Sequence, residues 1–338
     1  METKKVVVIG GSGLVGQYII KQLLNDKSVN YQVTSFDLTA NSLSHSVIGD
    51  ITNIAQLTEA LENVEICIHC ASPRTGLGKE IYFKVNVEGT RNVVDACKSV
   101  GVKKLIFTSS ASVVYNGQHL LNANEDLPHC DIHLDAYNET KSIAEKLVLE
   151  ANDPASGFLT IALRPAGIFG PGDLQASYSV YKAAKEGKYK YMVGENKTLF
   201  DMTFVGNVAH AHVLCCKNLN AENSGQAYNI TNDEPIYWFD FAKFFYDGLG
   251  RKDSLKIQIP FTIAFPMAAI SEFFGHLFKF EVLFTTFRMT FLSTNRVYDI
   301  SKARKYLGYK PVYSLEEGLE STLVWLTELR DKDTEWKV

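Results

Sequence analysis

The stretch VVVIGGSGLVG, residues 6–16, decides the fold of this 338-residue chain. Its apolar beginning is typical of a buried strand, and helical periodicity starts directly after the glycines. Glycine at this spacing lets the backbone turn tightly and approach a pyrophosphate, while the start of the next helix offers free N–H groups to the anion. The stretch therefore predicts a dinucleotide-binding turn made by Gly10, Gly13, Leu14, Val15 and Gly16.

Apolar runs alternate with helical segments through the first half of the chain. Strands are predicted at residues 5–9, 32–36, 66–70, 105–108 and 159–163, and helices at residues 14–24, 54–61, 82–99 and 137–150. Such βαβ alternation predicts a parallel sheet that is covered by helices on both faces. The predicted fold class is α/β, a Rossmann-type doubly wound parallel sheet with a smaller C-terminal α/β cap for the substrate.

The division into domains follows from a change in composition after Arg164. Prolines and glycines cluster between Pro165 and Gly172, which indicates a loop-rich exit from the sheet. We predict an NAD(P)-binding domain at residues 1–165, with residues 201–232 returning to it because residues 227–231 resemble another sheet strand. Residues 166–200 and 233–338 are predicted to form the cap.

Composition and charge exclude several classes of protein. An apolar fraction of 46% and an aromatic fraction of 12% indicate a globular protein, and a net charge of -4 with a pI near 6.1 provides no basic field for nucleic acid. Only Cys67 and Cys70 have CxxC spacing, and on a strand they point to opposite faces, so we predict no metal site. The N-terminus reads straight into a strand without a signal peptide, and we expect the chain to start in the cytosol.

A second motif, Tyr137-Asn-Glu-Thr-Lys141, lies on a predicted helix. Residues four apart share one face of a helix, so the phenol of Tyr137 and the ammonium of Lys141 should point into one site. A neighbouring cation lowers the pKa of a tyrosine by roughly 1–3 units from its usual value of about 10, and a positively charged nicotinamide ring would lower it further. The motif therefore predicts that Tyr137 acts as a base.

Two aspartates are candidates for contacts to the adenosine half of a dinucleotide. Asp37 ends the second predicted strand about twenty residues after Gly16, where a carboxylate accepts hydrogen bonds from the adenine ribose. The alternative for Asp37 is an exposed turn residue. Because Asp37 would repel a 2′-phosphate and Leu38 follows it, we favour NAD as the cofactor and keep NADP as possible. Asp50 either contacts the adenine edge or caps a helix.

Together with Thr108-Ser-Ser110, these motifs resemble the extended short-chain dehydrogenases/reductases, and the resemblance runs nearly end to end. Six shorter blocks, at residues 69–73, 86–92, 109–114, 151–154, 164–171 and 230–235, are similar to the sterol-4α-carboxylate 3-dehydrogenase (decarboxylating) group of the 3β-hydroxysteroid dehydrogenase branch. The resemblance implies oxidation of the 3β-hydroxyl of a 4α-carboxysterol by NAD(P), with loss of CO2 from C4, during sterol biosynthesis.

The resemblance also implies roles for individual residues. Tyr137 would take the hydroxyl proton, Lys141 would hold the phenolate and the nicotinamide ribose, and Ser110 would orient the substrate oxygen, with Ser112 in reserve. Asn86 would either fix a water or a carbonyl near the lysine or be a buried polar residue satisfied by the sheet. The substrate carboxylate should meet a cation or backbone donors. The candidate cations are Arg74, Arg164, Arg288 and Arg296, and the alternative role for Arg164 is an ion pair inside the fold.

Nine of the 20 phenylalanines lie in residues 259–291, where charged residues interrupt every apolar run that could cross a bilayer. Three interpretations of this aromatic stretch stay open: cap core, the wall of an apolar substrate pocket, and a face resting on a membrane. The resemblance implies the cytosolic face of the endoplasmic reticulum membrane, with the cytoplasm as the alternative. It also implies a homodimer through helices 82–99 and 137–150, and contacts with other enzymes of sterol C4 demethylation.

Other functions are compatible with the same fold. A related enzyme could oxidise another steroid, or a terpenoid, without decarboxylation, or it could act on a sugar nucleotide, although the aromatic cap argues against a diphosphate ligand. A non-catalytic dinucleotide-sensing protein is the third hypothesis. The presence of both Tyr137 and Lys141 argues against it, because a sensor needs neither residue.

Overall fold

The computed structural model describes residues 3–74, 76–278 and 285–336. The strands are β1 (Thr3–Ile9), β2 (Asn30–Asp37), β3 (His45–Ile48), β4 (Ile66–His69), β5 (Lys104–Thr108), β6 (Leu120–Ala123), β7 (Leu159–Pro165), β8 (Ile168–Phe169), β9 (Tyr191–Val193), β10 (Leu199–Phe200), β11 (Thr203–Phe204), β12 (Gln226–Ile230), β13 (Ile236–Tyr237), β14 (Ile257–Ile259) and β15 (Arg296–Tyr298). The α-helices are α1 (Leu14–Asn25), α2 (Ile54–Ala60), α3 (Lys79–Tyr82), α4 (Gly89–Val100), α5 (Ala136–Glu150), α6 (Ala176–Lys185), α7 (Val205–Asn218), α8 (Trp238–Gly248), α9 (Phe261–Phe278), α10 (Thr286–Ser293), α11 (Ser301–Leu307) and α12 (Leu315–Lys332).

A parallel sheet forms the centre of the molecule, and within the described residues its strands run in the order β12-β7-β5-β4-β1-β2-β3. The chain adds strands to one side of β1 with β2 and β3, then crosses to the other side with β4. In such sheets a ligand binds outside the carboxyl ends of the strands, at the point where the strand order reverses. The predicted α/β Rossmann-type fold is confirmed, and β12 brings part of residues 201–232 back to this sheet.

Alternation along the strands builds an apolar layer on each face of the sheet. In β1, Val6 and Val8 join one buried cluster with Ile19 of α1, whereas Val7 and Ile9 join the other cluster, which includes Val93 of α4. Successive side chains of a strand point to opposite faces, so one short apolar run serves both layers. Buried on both sides, the sheet is a rigid support for the loops at its carboxyl edge.

The cap contains a smaller sheet in the order β13-β10-β15-β6 and a third apolar cluster around α6, α8 and α12. Its boundaries differ from the predicted division of the chain. Strand β6 comes from within residues 1–165, and Ile300, Ala303 and Leu307 pack in the same cluster as α1 and α7. These three side chains are apolar and almost completely buried, so residues 300–307 belong to the packing of the dinucleotide-binding part.

The helix predicted at residues 82–99 is divided into α3, a π-helical turn at Phe83–Glu88 and α4. π-helical turns insert one extra residue per turn and often occur at functional sites. Here the turn carries Asn86, whose side-chain Nδ2 donates to Thr140 Oγ1 of α5 at 3.0 Å. The interrupted helix therefore fixes the position of α5 relative to α4.

Residues 279–284 of the aromatic stretch lie outside the described residues. Most of the described part of the stretch forms helix α9. Its Ala264 and Ala268 are buried against Met289 of α10. The opposite side of α9 is apolar and exposed, with side chains 49–66% accessible at Ile263, Met267, Ile270, Phe273, Leu277 and Phe278. In the part of the chain that the structure describes, none of the helices combines the length and the apolar composition that a bilayer-spanning segment needs.

Candidate active site

The glycine turn between β1 and α1 has the shape expected of a pyrophosphate cradle. Gly10 has a φ of +86°, and a Cβ there would lie 2.6 Å from the backbone nitrogen of Ala71. A Cβ on Gly16 would lie 2.2 Å from the carbonyl oxygen of Gly10, so only glycine allows α1 to start this close to the turn. Gly13 caps α1 without any side-chain hydrogen bond, which leaves N–H groups of the first turn for an anion.

Asp37 lies at the end of β2, next to the glycine turn. Its Oδ2 accepts a hydrogen bond from the backbone nitrogen of Ser12 at 3.0 Å, and the residue is only half-exposed. This carboxylate is therefore anchored beside the turn, where the sequence motif expects the adenine ribose. The donor set, with backbone N–H groups next to a carboxylate, fits the pyrophosphate and ribose of a dinucleotide.

Asp50 has a different local role from the capping alternative. It is exposed, and its Oδ1 accepts from the backbone nitrogen of Thr52 at 2.8 Å. The residue that caps α2 is Asn53, whose side chain accepts from the backbone nitrogens of the first turn. The capping alternative for Asp50 is wrong, because α2 begins three residues further along the chain than a helix capped by Asp50 would begin.

Lys141 is buried on α5, and its ammonium lies in the same site as the end of β5. Nζ donates to the carbonyl oxygen of Thr108 at 2.7 Å and lies 4.6 Å from the centre of the Phe107 ring. Burial lowers the pKa of Lys141 to about 8, and the charges of Cys70 and Glu145 oppose this shift. The carbonyl and the ring hold the ammonium at the carboxyl edge of the sheet.

Tyr137 lies one helical turn before Lys141, but its pKa shifts in the direction opposite to the one expected. Burial raises the pKa of Tyr137 to about 12, while an interaction with the Ser110 hydroxyl lowers it and the charge of Asp135 raises it further. The expectation considered two cations, Lys141 and a nicotinamide ring, and left out desolvation of the phenolate. Proton loss from Tyr137 therefore needs more positive charge in the site than Lys141 supplies.

Ser110 is the serine that the structure places beside Tyr137. It precedes a 3-10 turn at Ala111–Val114, where its Oγ accepts from the backbone nitrogen of Ser112 at 3.2 Å and lies 2.7 Å from the Ser112 hydroxyl. Ser109 points elsewhere and donates to a carboxylate oxygen of Glu145 at 2.5 Å. Two hydroxyls, Ser110 and Ser112, are thus linked at the end of β5.

A buried network around Glu145 supports this arrangement; sequence reasoning allowed an ion pair for Arg164 but did not find Glu145 as its partner. Glu145 lies one turn after Lys141 and binds Arg164 through Oε1 at 2.6 Å and through Oε2 at 2.9 Å. The same carboxylate also meets Ser109 and His129 Nε2, the latter at 2.7 Å. The only signal in the sequence was the four-residue spacing between Lys141 and Glu145, which placed both on one face of α5.

Asn86 matches the second of its two predicted roles, that of a buried polar residue whose hydrogen bonds are satisfied. Its Oδ1 accepts from Ser72 Oγ at 3.1 Å, and its Nδ2 donates to Thr140 of α5. It is buried and satisfied, although its partners belong to a loop and a helix and not to the sheet. Asn86 therefore positions α5 without contacting Lys141 through a described hydrogen bond.

The four candidate arginines have different surroundings. Arg164 is committed to Glu145, which corresponds to its alternative role as an ion-pair partner inside the fold. Arg74 and Arg288 are exposed, whereas Arg296 is only 7% exposed. Among the described residues, no group of three or more His, Cys, Asp or Glu side chains could hold a metal ion.

Comparison with known proteins places the chain among dehydrogenases of one family. The sequence profile of the 3-beta hydroxysteroid dehydrogenase/isomerase family matches residues 7–261. Sterol-4-alpha-carboxylate 3-dehydrogenase, decarboxylating, of Saccharomyces cerevisiae is 40% identical over 96% of this chain and 98% of its own length. The enzyme of that name from Mus musculus is also 40% identical, over 97% of this chain and 92% of its own length.

Solved structures share the fold at low sequence identity. UDP-glucuronic acid 4-epimerase from Bacillus cereus, in complex with NAD, matches with a TM-score of 0.74 and 22% identity over 96% of this chain and 99% of its own. dTDP-glucose 4,6-dehydratase from Bacillus anthracis, also in complex with NAD, matches with a TM-score of 0.73 and 18% identity over 98% of both chains. These similarities establish the architecture of the sheet and its cap.

Proposed function

This chain belongs to the 3-beta hydroxysteroid dehydrogenase/isomerase family, and on that premise we propose that it oxidises the 3β-hydroxyl of a 4α-carboxysterol with loss of CO2 from C4. One observation carries the proposal: the Tyr137 phenol meets the Ser110 hydroxyl one helical turn from the buried ammonium of Lys141. That group of side chains can remove a proton from an alcohol.

Each side chain has a definable task. Ser110 donates a hydrogen bond to the substrate oxygen, and Tyr137 accepts the hydroxyl proton. Lys141, fixed by the carbonyl of Thr108, stabilises the phenolate. NAD, when bound, supplies the hydride acceptor and the additional positive charge. The glycine turn and Asp37 would hold this dinucleotide with its reactive end towards these residues.

Decarboxylation follows from the chemistry of the oxidised substrate. A ketone at C3 is β to the carboxylate on C4, so the electron pair of the breaking carbon–carbon bond can move to the ketone oxygen. Ser110 and Tyr137 already contact that oxygen and can stabilise the enolate by hydrogen bonding. Protonation at C4 takes up one proton, which balances the hydroxyl proton that Tyr137 accepts, and gives the 3-ketosterol.

The decisive experiment supplies the purified protein with NAD and a 4α-carboxy-3β-hydroxysterol. We expect NADH and CO2 in equal amounts. NADH formed without CO2 would instead identify a plain alcohol dehydrogenase, and neither product would exclude both functions. The 4α-methyl analogue, which has no carboxylate, is the matched control for the source of CO2.

NAD is preferred over NADP in this proposal because of the charge at Asp37. The carboxylate is held beside the glycine turn by the nitrogen of Ser12, so a 2′-phosphate on the same ribose would meet a fixed negative charge. The expected result is a higher kcat/KM with NAD than with NADP. Equal values with both cofactors would contradict this assignment.

Contact with the cytosolic face of the endoplasmic reticulum membrane is a further part of the proposal, supported by the exposed side of α9. Phe273 is 65% and Ile270 is 57% accessible, on a helix whose inner side is packed. Amphipathic helices bury such a side in the headgroup region of a bilayer, from which a sterol would also be taken. Phe273→Glu should reduce binding to phosphatidylcholine vesicles, whereas Val324→Glu on α12, also at an exposed position, should not; equal binding by both variants would contradict membrane contact.

A homodimer through α4 and α5 is proposed as the oligomeric state. Light scattering after size exclusion should give a mass near twice that of the 37.7 kDa chain. A mass equal to that of one chain at micromolar concentration would refute the dimer. Like the dimer, contact with other enzymes of sterol C4 demethylation is proposed from the family resemblance. Co-purification of a C4 oxidase from membranes would test it.

A further inference from the structure

Arg296 is a buried cation of the cap, and the described ion pairs include none for it. It lies on β15, its side chain is 7% exposed, and its guanidinium carbon is 4.3 Å from the centre of the Phe200 ring and 5.1 Å from that of Tyr115. Its Nη2 has no hydrogen-bond partner among the described residues. Aromatic faces stabilise a cation only in part, so this charge is left without full compensation.

Asp201, an acid whose backbone is paired with that of Arg296, does not neutralise the guanidinium. The backbone N–H of Asp201 donates a hydrogen bond to the carbonyl oxygen of Arg296. The Oδ2 of Asp201 accepts a hydrogen bond from the backbone nitrogen of Tyr298. Burial raises the pKa of Asp201 to about 7, so this carboxyl is a weak source of negative charge. The described ion pairs of the chain include none for Arg296. A buried guanidinium without a paired charge is unfavourable, and an anion that arrives with a ligand would stabilise it.

The position of Arg296 connects it with the catalytic segment. Tyr115 follows the 3-10 turn that starts at Ser110, and its backbone nitrogen donates to the carbonyl of Ser112 at 3.0 Å. The Tyr115 ring contacts the guanidinium, and its hydroxyl pairs with Thr294, two residues before Arg296. Arg296 therefore contacts the residue at one end of the short turn Ala111–Val114, and Ser110 lies at its other end.

We propose that Arg296 binds the C4 carboxylate of the substrate and thereby selects sterol acids, an inference that rests on the proposed function. A guanidinium offers two parallel donors to a carboxylate, which gives geometry as well as charge. The other three candidates are less suitable: Arg164 is bound by Glu145, and Arg74 and Arg288 are exposed to water, where an ion pair is weak.

The same contact explains how product could be distinguished from substrate. When the bond between C4 and the carboxylate breaks, its electron pair moves to the ketone oxygen and neutral CO2 leaves. Arg296 then has no anion to bind, while the ketosterol keeps only its apolar contacts. The substrate acid should therefore bind more tightly than the 3-ketosterol product.

The test compares two substrates in the full-length protein: the 4α-carboxy-3β-hydroxysterol and its 4α-methyl analogue, each with NAD. Arg296→Met should reduce kcat/KM for the acid by about 30-fold or more, mainly through KM, and change that for the methyl analogue by less than about threefold. Arg296→Lys keeps the charge without the fork and should give a smaller loss that is again confined to the acid. Arg330→Met, on α12, is the matched control and should alter neither substrate.

Binding without turnover gives a second readout. In a Tyr137→Phe background with NAD, calorimetry should show that Arg296→Met weakens binding of the acid by the same factor as it raises KM. Equal losses for the acid and the methyl analogue, no loss for either, or an acid-specific loss in Arg74→Met instead would overturn the assignment. If Arg296→Met does not fold, Arg296→Lys is used instead to compare the acid with the methyl analogue. Failure of the unsubstituted protein to release CO2 from the acid would refute the proposed function itself.

Discussion

Replacing Glu145 by glutamine should weaken the fold and the catalytic site together. The carboxylate is fully buried, and it binds Arg164 through both oxygens, so the glutamine variant leaves a buried guanidinium without its charge partner. The pKa of Glu145 falls from 4.5 to about 2, chiefly because hydrogen bonds from His129, Arg164 and Ser109 overcome desolvation. A shift of that size corresponds to about 3 kcal/mol, and breaking a buried ion pair costs about 3–5 kcal/mol.

Urea unfolding at pH 7 measures this loss as a difference in the free energy of unfolding. Glu150→Gln, at an exposed position of the same helix, is the control and should lie within about 0.5 kcal/mol of the unsubstituted protein. Arg164→Met combined with Glu145→Gln should recover part of the loss, because no charge is then left unpaired. Catalysis should fall as well, since Ser109 is adjacent to Ser110 and Lys141 lies one turn before Glu145.

The pH dependence has a definite sign. A carboxyl whose folded pKa is depressed contributes stability that is complete above its unfolded pKa and disappears as the pH falls through the folded value. The advantage of Glu145 over glutamine should therefore be constant between pH 6 and 8 and shrink between about 4.5 and 2. A variant within about 1 kcal/mol of the unsubstituted protein at pH 7, or an advantage that persists undiminished at pH 2, would refute this reasoning.

Three other substitutions test the cofactor site and the base. Tyr137→Phe should lower kcat by about 100- to 10,000-fold and leave the Kd for NAD within about twofold, as measured by kinetics and calorimetry. Asp37→Ser should raise the ratio of kcat/KM with NADP to that with NAD by about tenfold or more, because the repulsion of the 2′-phosphate is removed. Gly10→Ala should abolish dinucleotide binding, since its Cβ would lie 2.6 Å from the Ala71 nitrogen, whereas Gly78→Ala, which meets nothing within 4 Å, should bind normally in the same titration.

Local patterns were sufficient to predict the sheet and the glycine turn. The apolar run of β1, the glycines that follow it and the four-residue spacing of Tyr137 and Lys141 each depend on residues close together in the chain. Backbone geometry enforces these features, as the short distance from a Gly16 Cβ to the Gly10 carbonyl shows. The fold class and the arrangement of the glycine turn can therefore be predicted from the sequence.

Features that depend on burial were not predictable in this way. The direction of the pKa shift at Tyr137 is set by desolvation, which only the folded structure reveals. Glu145 meets Ser109, His129 and Arg164 because the sheet brings distant segments together. Spacing along the chain could not select Arg296 among the candidates either, because its burial results from the pairing of β15 with β6 and β10.

The central claim is that Tyr137 accepts the hydroxyl proton during an oxidation that is followed by loss of CO2. Its most direct test uses a 4α-carboxysterol with deuterium at C3. The account predicts that mass spectrometry finds one deuterium on the reduced nicotinamide for each CO2 released, and that Tyr137→Phe suppresses both products together. CO2 released without deuterium transfer, or full release by Tyr137→Phe, would contradict it.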